Sequence, residues 1–266
     1  MLTNTRSDRV RAVRSLSRRA VRQRQGLFLA EGPQSVREAV THRPSWVRDL
    51  YVTPVASARY AAVIDAALTV GVPVTEVTDE VLAAMGDEQA AVAPQGLLAV
   101  CRIETTTLAQ VLEQRPRLLC VLSSVRDPGN AGTVLRGADA AGADAVVITT
   151  QSVDLHAPKV VRSTAGSLFH LPVVTGIPVE EVVVAVREAG LRVLAADGAG
   201  DLLLPDADLV PPHAWLFGNE AWGLPSSVRD LCDDVVRVPI HGLAESLNLA
   251  MAATVCLYAS AAAQRR

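Results

Sequence analysis

The apolar run from Leu118 to Val125 constrains this chain more than any other feature. A strand with so little polar alternation must be covered on both faces, which calls for helices on either side of a sheet. An alternating series follows it: a helix over Ala131 to Ala141, a strand over Ala145 to Thr149, a helix near Ala157 to Thr164, a strand over Leu171 to Val174 and a helix over Val179 to Ala189. Strands over Arg192 to Ala196, Ala214 to Phe217 and Val235 to Val238 then lead to a terminal helix over Ser246 to Ala263. This order predicts an α/β domain built on a parallel sheet, with no internal repeat.

A separate alternation fills the first hundred residues. Strands are expected over Leu27 to Ala30, Val47 to Thr53, Pro73 to Val77 and Gly96 to Arg102, with helices over Gly32 to Thr41, Ala58 to Val70 and Asp79 to Met85. The polar stretch after Ile103 reads as a linker with a short helical piece. The expected organisation is therefore a small domain over 1–102, a linker over 103–117 and a larger domain over 118–266.

Charge is unevenly spread. Residues 1–26 carry eight arginines against one aspartate, a net +7, leaving −10 for the rest of a chain whose total is −3. Arg11, Arg14, Arg18 and Arg22 fall at helical spacing on one face, with Val10, Val13 and Ala20 roughly on another. That pattern fits a solvated helix face and equally a set of phosphate contacts to nucleic acid. Half of the residues are hydrophobic, which excludes disorder over the whole chain. No apolar run is long enough to span a bilayer and residues 1–26 lack a secretory core, so a soluble, cytoplasmic protein is expected. Cys101, Cys120, Cys232 and Cys256 form no C-x-x-C pair and the five histidines are dispersed, so no metal is expected.

The chemistry-bearing segments lie in the second half. Arg126-Asp127-Pro128-Gly129-Asn130-Ala131-Gly132-Thr133 is a glycine-containing loop between a buried strand and a helix. It lacks the Lys-Ser/Thr of a phosphate-binding loop and the G-x-G-x-x-G of a dinucleotide fingerprint, and by pattern alone it reads as a turn. Arg136, six residues beyond Asn130, is placed to project towards the same opening. Three later segments are Leu216-Phe217-Gly218-Asn219-Glu220, Val238-Pro239-Ile240 and Ser246-Leu247-Asn248. Ala195-Ala196-Asp197-Gly198 reads first as a turn at a strand end.

Together these segments resemble the SpoU/TrmH class of RNA ribose methyltransferases. Asn130 to Arg136 is similar to its first motif, Phe217-Gly218-Asn219-Glu220 with Gly223-Leu224 to its second, and Val238-Pro239-Ile240 through Glu245-Ser246-Leu247-Asn248 to its third. Arg162-Ser163, Gly166-Ser167 and Leu171-Pro172-Val173 also fit, and the match runs from about residue 118 onwards. A weaker likeness, at Phe28 to Gly32, Glu38-Ala39 and Gln95 to Val100, is to the L30e-like substrate-binding domain that often precedes it.

The resemblance implies a C-terminal trefoil knot, a homodimer formed through the C-terminal domain and S-adenosylmethionine as cofactor. It implies that Leu216, Phe217, Gly218, Val238, Ile240 and Leu247 hold the cofactor. By the same resemblance, supported by its always-charged guanidinium, Arg136 is expected to lower the effective pKa of a ribose 2′-hydroxyl, with an RNA phosphate taking the proton. Asn130 is expected to orient the ribose or Arg136, with Glu220, Ser246 and Asn248 holding that geometry. The expected function is 2′-O-methylation of structured RNA, most of all 23S ribosomal RNA. The alternatives are a transfer RNA substrate, a non-catalytic RNA-binding protein on the same scaffold, and a nucleotide-dependent oxidoreductase built on the Gly129 to Thr133 loop.

Overall fold

The computed structural model describes residues 1–87 and 95–265, which form two compact units. The first comprises residues 1–104 together with 156–170. Its elements are α1 (Asp8–Arg14), α2 (Arg19–Gln25), β1 (Leu27–Glu31), α3 (Pro33–His42), β2 (Val47–Val52), α4 (Pro54–Arg59), α5 (Ala61–Thr69), β3 (Val74–Glu76), α6 (Asp79–Met85) and β4 (Leu97–Arg102). The strands form one sheet in the order β1-β4-β2-β3, antiparallel except for the β2/β3 pair. The helix expected over Ala58 to Val70 is two helices, because Thr53 caps α4 and Tyr60 leaves helical geometry between them.

The single basic helix expected near the start is also broken. A 3₁₀ turn over Ser15–Ser17 and an extended Arg18 separate α1 from α2, and the break turns Leu16 into the core with Val10, Val13 and Val21. Arg22 accordingly leaves the expected exposed face: it is 3% exposed, and its guanidinium donates to the carbonyls of Leu16 (2.8 Å) and Ser17 (2.6 Å) that the break sets free. Arg11, Arg14 and Arg18 remain exposed, whereas Ala20, expected on the apolar face, is exposed as well.

The second unit contains residues 105–155 and 171–266. Its elements are α7 (Leu108–Glu113), β5 (Leu118–Leu122), α8 (Pro128–Ala141), β6 (Ala145–Ile148), β7 (Val173–Thr175), α10 (Val179–Glu188), β8 (Arg192–Ala196), β9 (Leu202–Leu203), β10 (His213–Phe217), α11 (Ser226–Arg229), β11 (Asp234–Arg237) and α12 (Leu249–Gln264). Between β6 and β7 the chain leaves the sheet, and α9 (Pro158–Ser163) packs in the first unit, where Arg162 pairs with Glu31 (2.8 Å) and Asp87 (2.9 Å). The sheet runs β7-β6-β5-β10-β8-β11-β9 with every neighbouring pair parallel, so the apolar run at β5 is interior and wholly buried as expected.

The last strand of the centre, β10, lies between β5 and β8 although 90 residues separate β5 from β10. Its C-terminal end therefore meets the loops that follow β5 and β8. Helix α12 is fixed behind it by a buried cluster. Ser260 Oγ is 2.7 Å from His213 Nε2 and accepts from Trp215 Nε1 at 2.8 Å, while His213 Nδ1 is 2.8 Å from the Pro211 carbonyl. Gly137 on α8 faces Thr254 so closely that an added Cβ would lie 2.7 Å from the threonine Oγ1, which would have to move.

Candidate active site

At the C-terminal ends of β8, β10 and β11, a cavity of about 500 Å³ opens. This is where ligands bind in open parallel sheets, because strand order leaves a crevice there. Its lining brings together Phe217, Gly218, Val238, Ile240, Ser246 and Leu247 from the three motif segments. The side chains of Leu216 and Phe217 are both buried, so whatever these two strand-end residues offer a ligand is backbone.

Ala196, Asp197 and Gly198 also line the cavity, so the turn after β8 is part of the site as well as a strand end. Sequence pattern assigns Asn219 no role of its own, yet it organises the second motif. Its backbone exchanges hydrogen bonds with Gly223 (3.0 and 2.9 Å), its Oδ1 accepts from Ala221 N (2.9 Å), and its Nδ2 donates to Ser124 O (2.7 Å). The signal available is its position directly after a glycine at the end of a buried strand. Gly218 is required by this closure, since a Cβ there would collide with the Gly223 carbonyl. Gly223 has φ +68, the left-handed region, and a Cβ on it would lie 3.1 Å from Asp197 Oδ2.

Beside the cavity, a chain of side-chain hydrogen bonds joins the motifs. Glu220 Oε1 accepts from Asp127 N (3.1 Å) and Asn130 Nδ2 (3.2 Å), and its Oε2 accepts from Arg126 N (3.3 Å). Asn130 Oδ1 in turn accepts from Asn248 Nδ2 at 3.0 Å. Asn248 Oδ1 caps α12 by accepting from Ala250 N (2.9 Å) and Met251 N (3.4 Å), so that helix begins at Leu249 and not at the expected Ser246. Asp127 caps α8 by accepting from Asn130 N at 2.7 Å. Two helix starts and one strand-end turn are thereby held in one arrangement.

Arg136 is the predicted site residue that these groups do not enclose. It is exposed on α8 and lines neither this cavity nor the neighbouring hollow around Asn130 and Glu220. Six residues of helix turn a side chain through about 600°, roughly a third of a turn away from Asn130. In the first unit, Glu38, His42 and His170 converge, with Glu38 Oε2 at 3.4 Å from His42 Nε2 and 3.3 Å from His170 Nε2. Arg37 donates to the same carboxylate at 2.9 Å, so this trio has its positive charge without an ion.

The cavity suits a cationic nucleoside. Val238, Ile240 and Leu247 supply apolar contact for a base, Gly218 and Gly223 let backbone groups approach, and Asp197, Glu220 and Glu245 supply negative charge.

Comparison with known proteins agrees with this geometry. Residues 117–258 match the SpoU rRNA Methylase family, and residues 7–99 match the MRM3-like substrate binding domain. The chain is 35% identical over 91% of its length, and 85% of the relative's, to the 23S rRNA (uridine(2479)-2′-O)-methyltransferase of Streptomyces viridochromogenes. It is 30% identical to the 23S rRNA (guanosine(2553)-2′-O)-methyltransferase RlmP of Bacillus subtilis (strain 168), with 97% of each covered. The AdoMet-bound rRNA methyltransferase from Sinorhizobium meliloti superposes with a TM-score of 0.83 at 28% identity, covering 97% of this chain and 96% of that one.

Proposed function

Since the chain belongs to the SpoU rRNA Methylase family, we infer that it transfers a methyl group from S-adenosylmethionine to a ribose 2′-hydroxyl of 23S ribosomal RNA. The activity is that of an RNA ribose 2′-O-methyltransferase, and S-adenosylmethionine is its cofactor. The observation that carries this reading is the Glu220–Asn130–Asn248 hydrogen-bond chain at the edge of the Gly218 cavity. When bound, the cofactor supplies an electrophilic methyl group.

The protein's own task is to position an oxygen and stabilise charge on it. Asn130, with its amide fixed at both ends, orients the ribose, while Glu220 and Asn248 hold Asn130. Ser246 lines the cavity and keeps the cofactor side of that geometry. Arg136 lowers the effective pKa of the hydroxyl, with an RNA phosphate as proton acceptor. Its exposure supports a role in a site completed close to a second copy of the chain.

A homodimer through the second unit is part of this proposal. Met251, Val255 and Tyr258 fall along one face of α12 and are 64%, 42% and 51% exposed, a stripe of apolar surface suited to a second copy. The proposal includes the knotted chain path, the assignment of residues 1–102 to RNA binding with 118–266 to methyl transfer, and a cytoplasmic location. Among the described residues no helix is long and apolar enough to cross a membrane.

Calorimetric titration separates this reading from the oxidoreductase alternative. S-adenosylmethionine should bind stoichiometrically and NAD should not. Arg136→Ala should keep cofactor affinity near that of the unaltered protein while turnover is abolished. Loss of both together would make the arginine structural.

A further inference from the structure

We propose that Trp222, backed by Arg126, is a stacking subsite for an unpaired nucleobase of the RNA substrate; this rests on the reading of the chain as an RNA methyltransferase. Trp222 is 55% exposed, an unusual place for so large an apolar side chain, whereas Trp215 is fully buried. Tryptophan joins a broad apolar face to a polar N–H, which is why it is enriched at recognition surfaces. The Arg126 guanidinium lies 5.2 Å from the centre of the Trp222 ring, covering part of it with a cation.

The exposure is not that of a loose loop. Trp222 sits inside the turn that Asn219 and Gly223 close with two backbone hydrogen bonds, and the Asn219 side chain pins that turn to Ser124. Its backbone is therefore set in place before any ligand arrives. The hollow that Trp222 shares is lined by Arg126, Asp127, Asn130, Glu220 and Asn248, the same residues that hold the proposed ribose site. Asn219 and Glu220 line this hollow and the cofactor cavity alike. A base stacked on the tryptophan would thus lie beside the ribose that accepts the methyl group, and the guanidinium would meet the adjoining phosphate. An aromatic face accepts any base, so this subsite selects an unpaired nucleotide and leaves its identity to other contacts.

The test compares the unaltered full-length protein with Trp222→Ala, Trp222→Phe and Arg126→Gln, using 23S rRNA transcripts. Trp222→Ala should raise the KM for RNA by roughly ten- to hundredfold, the range expected when one base–aromatic stack is removed, and Trp222→Phe should restore most of it. Arg126→Gln should produce a smaller rise. S-adenosylmethionine affinity, measured separately, should be nearly unchanged, and tryptophan fluorescence should change on RNA addition in the unaltered protein but far less in Trp222→Phe. An unchanged RNA KM in Trp222→Ala overturns the subsite, as does a shift of that variant to a smaller oligomer, which would make Trp222 a contact between copies. Failure of the unaltered protein to methylate any RNA is a different result, since it removes the methyltransferase reading itself.

Discussion

Gly218 is the residue on which the cofactor cavity turns. It stands where the backbone of β10 meets the Gly223 carbonyl, and no side chain fits between them. Gly218→Ala should therefore push the Asn219–Gly223 turn outward and weaken S-adenosylmethionine binding by at least about tenfold, or roughly 1.4 kcal/mol, in a calorimetric titration. Unchanged affinity would show that the turn absorbs the methyl group without moving the cavity wall. The site is legible through the likeness of its motif segments to a known family, because by pattern alone each segment reads as a turn or a strand end. The placement of Arg136 is not legible in this way. The turn of α8 carries its side chain away from Asn130. Trp222 gives no signal in the sequence, since only coordinates separate an exposed tryptophan from a buried one.

At the level of elements, the regular strands and helices are readable from apolar periodicity, and departures come where caps intervene. Asn248 starts α12 later than expected, and Tyr60 divides α4 from α5. The break between α1 and α2 changes how the basic segment can be tested. Val10, Val13 and Leu16 are core residues of the first unit, so deleting residues 1–26 would damage the fold and confound any weakening of RNA binding. Replacing the exposed Arg11, Arg14 and Arg18 with glutamine together is cleaner. The slope of log affinity against log salt should become shallower by about 0.7 to 0.9 for each phosphate that is no longer neutralised. An unaltered slope would return these arginines to a solvated face. A second element-level prediction concerns the anchoring of α12 to β10. Burial holds His213 below its ordinary value, opposed by the hydrogen bond to Pro211, so the folded protein favours the neutral ring. Its contribution to stability is thus present above about pH 6.5 and is lost as pH falls through the depressed folded value, because the unfolded chain takes up the proton first. The melting temperature should fall over that interval, and His213→Gln, less stable at neutral pH, should fall less steeply. Equal slopes would remove the histidine from the acid response.

For the whole molecule, the seven-stranded parallel sheet brings distant segments to one edge by its strand order, β5-β10-β8, and not by closeness in sequence. Sequence pattern predicts the parallel α/β class from the buried run at β5, but pattern carries no information on strand order. Nor does it reveal that α9, whose Arg162 binds Glu31 and Asp87, folds with the first unit. The apolar stripe of α12 and the exposed Arg136 belong to this scale as well, since the proposed homodimer would account for both. The converged loops are proposed to deliver a methyl group to a ribose oxygen of ribosomal RNA. Incubation of the purified protein with isotopically labelled S-adenosylmethionine and unmodified 23S rRNA, followed by nuclease digestion and mass spectrometry of the nucleosides, tests it most directly. Label should appear in a single 2′-O-methylnucleoside and be absent with Arg136→Ala; label on a base, or on transfer RNA in place of 23S rRNA, would rule that transfer out.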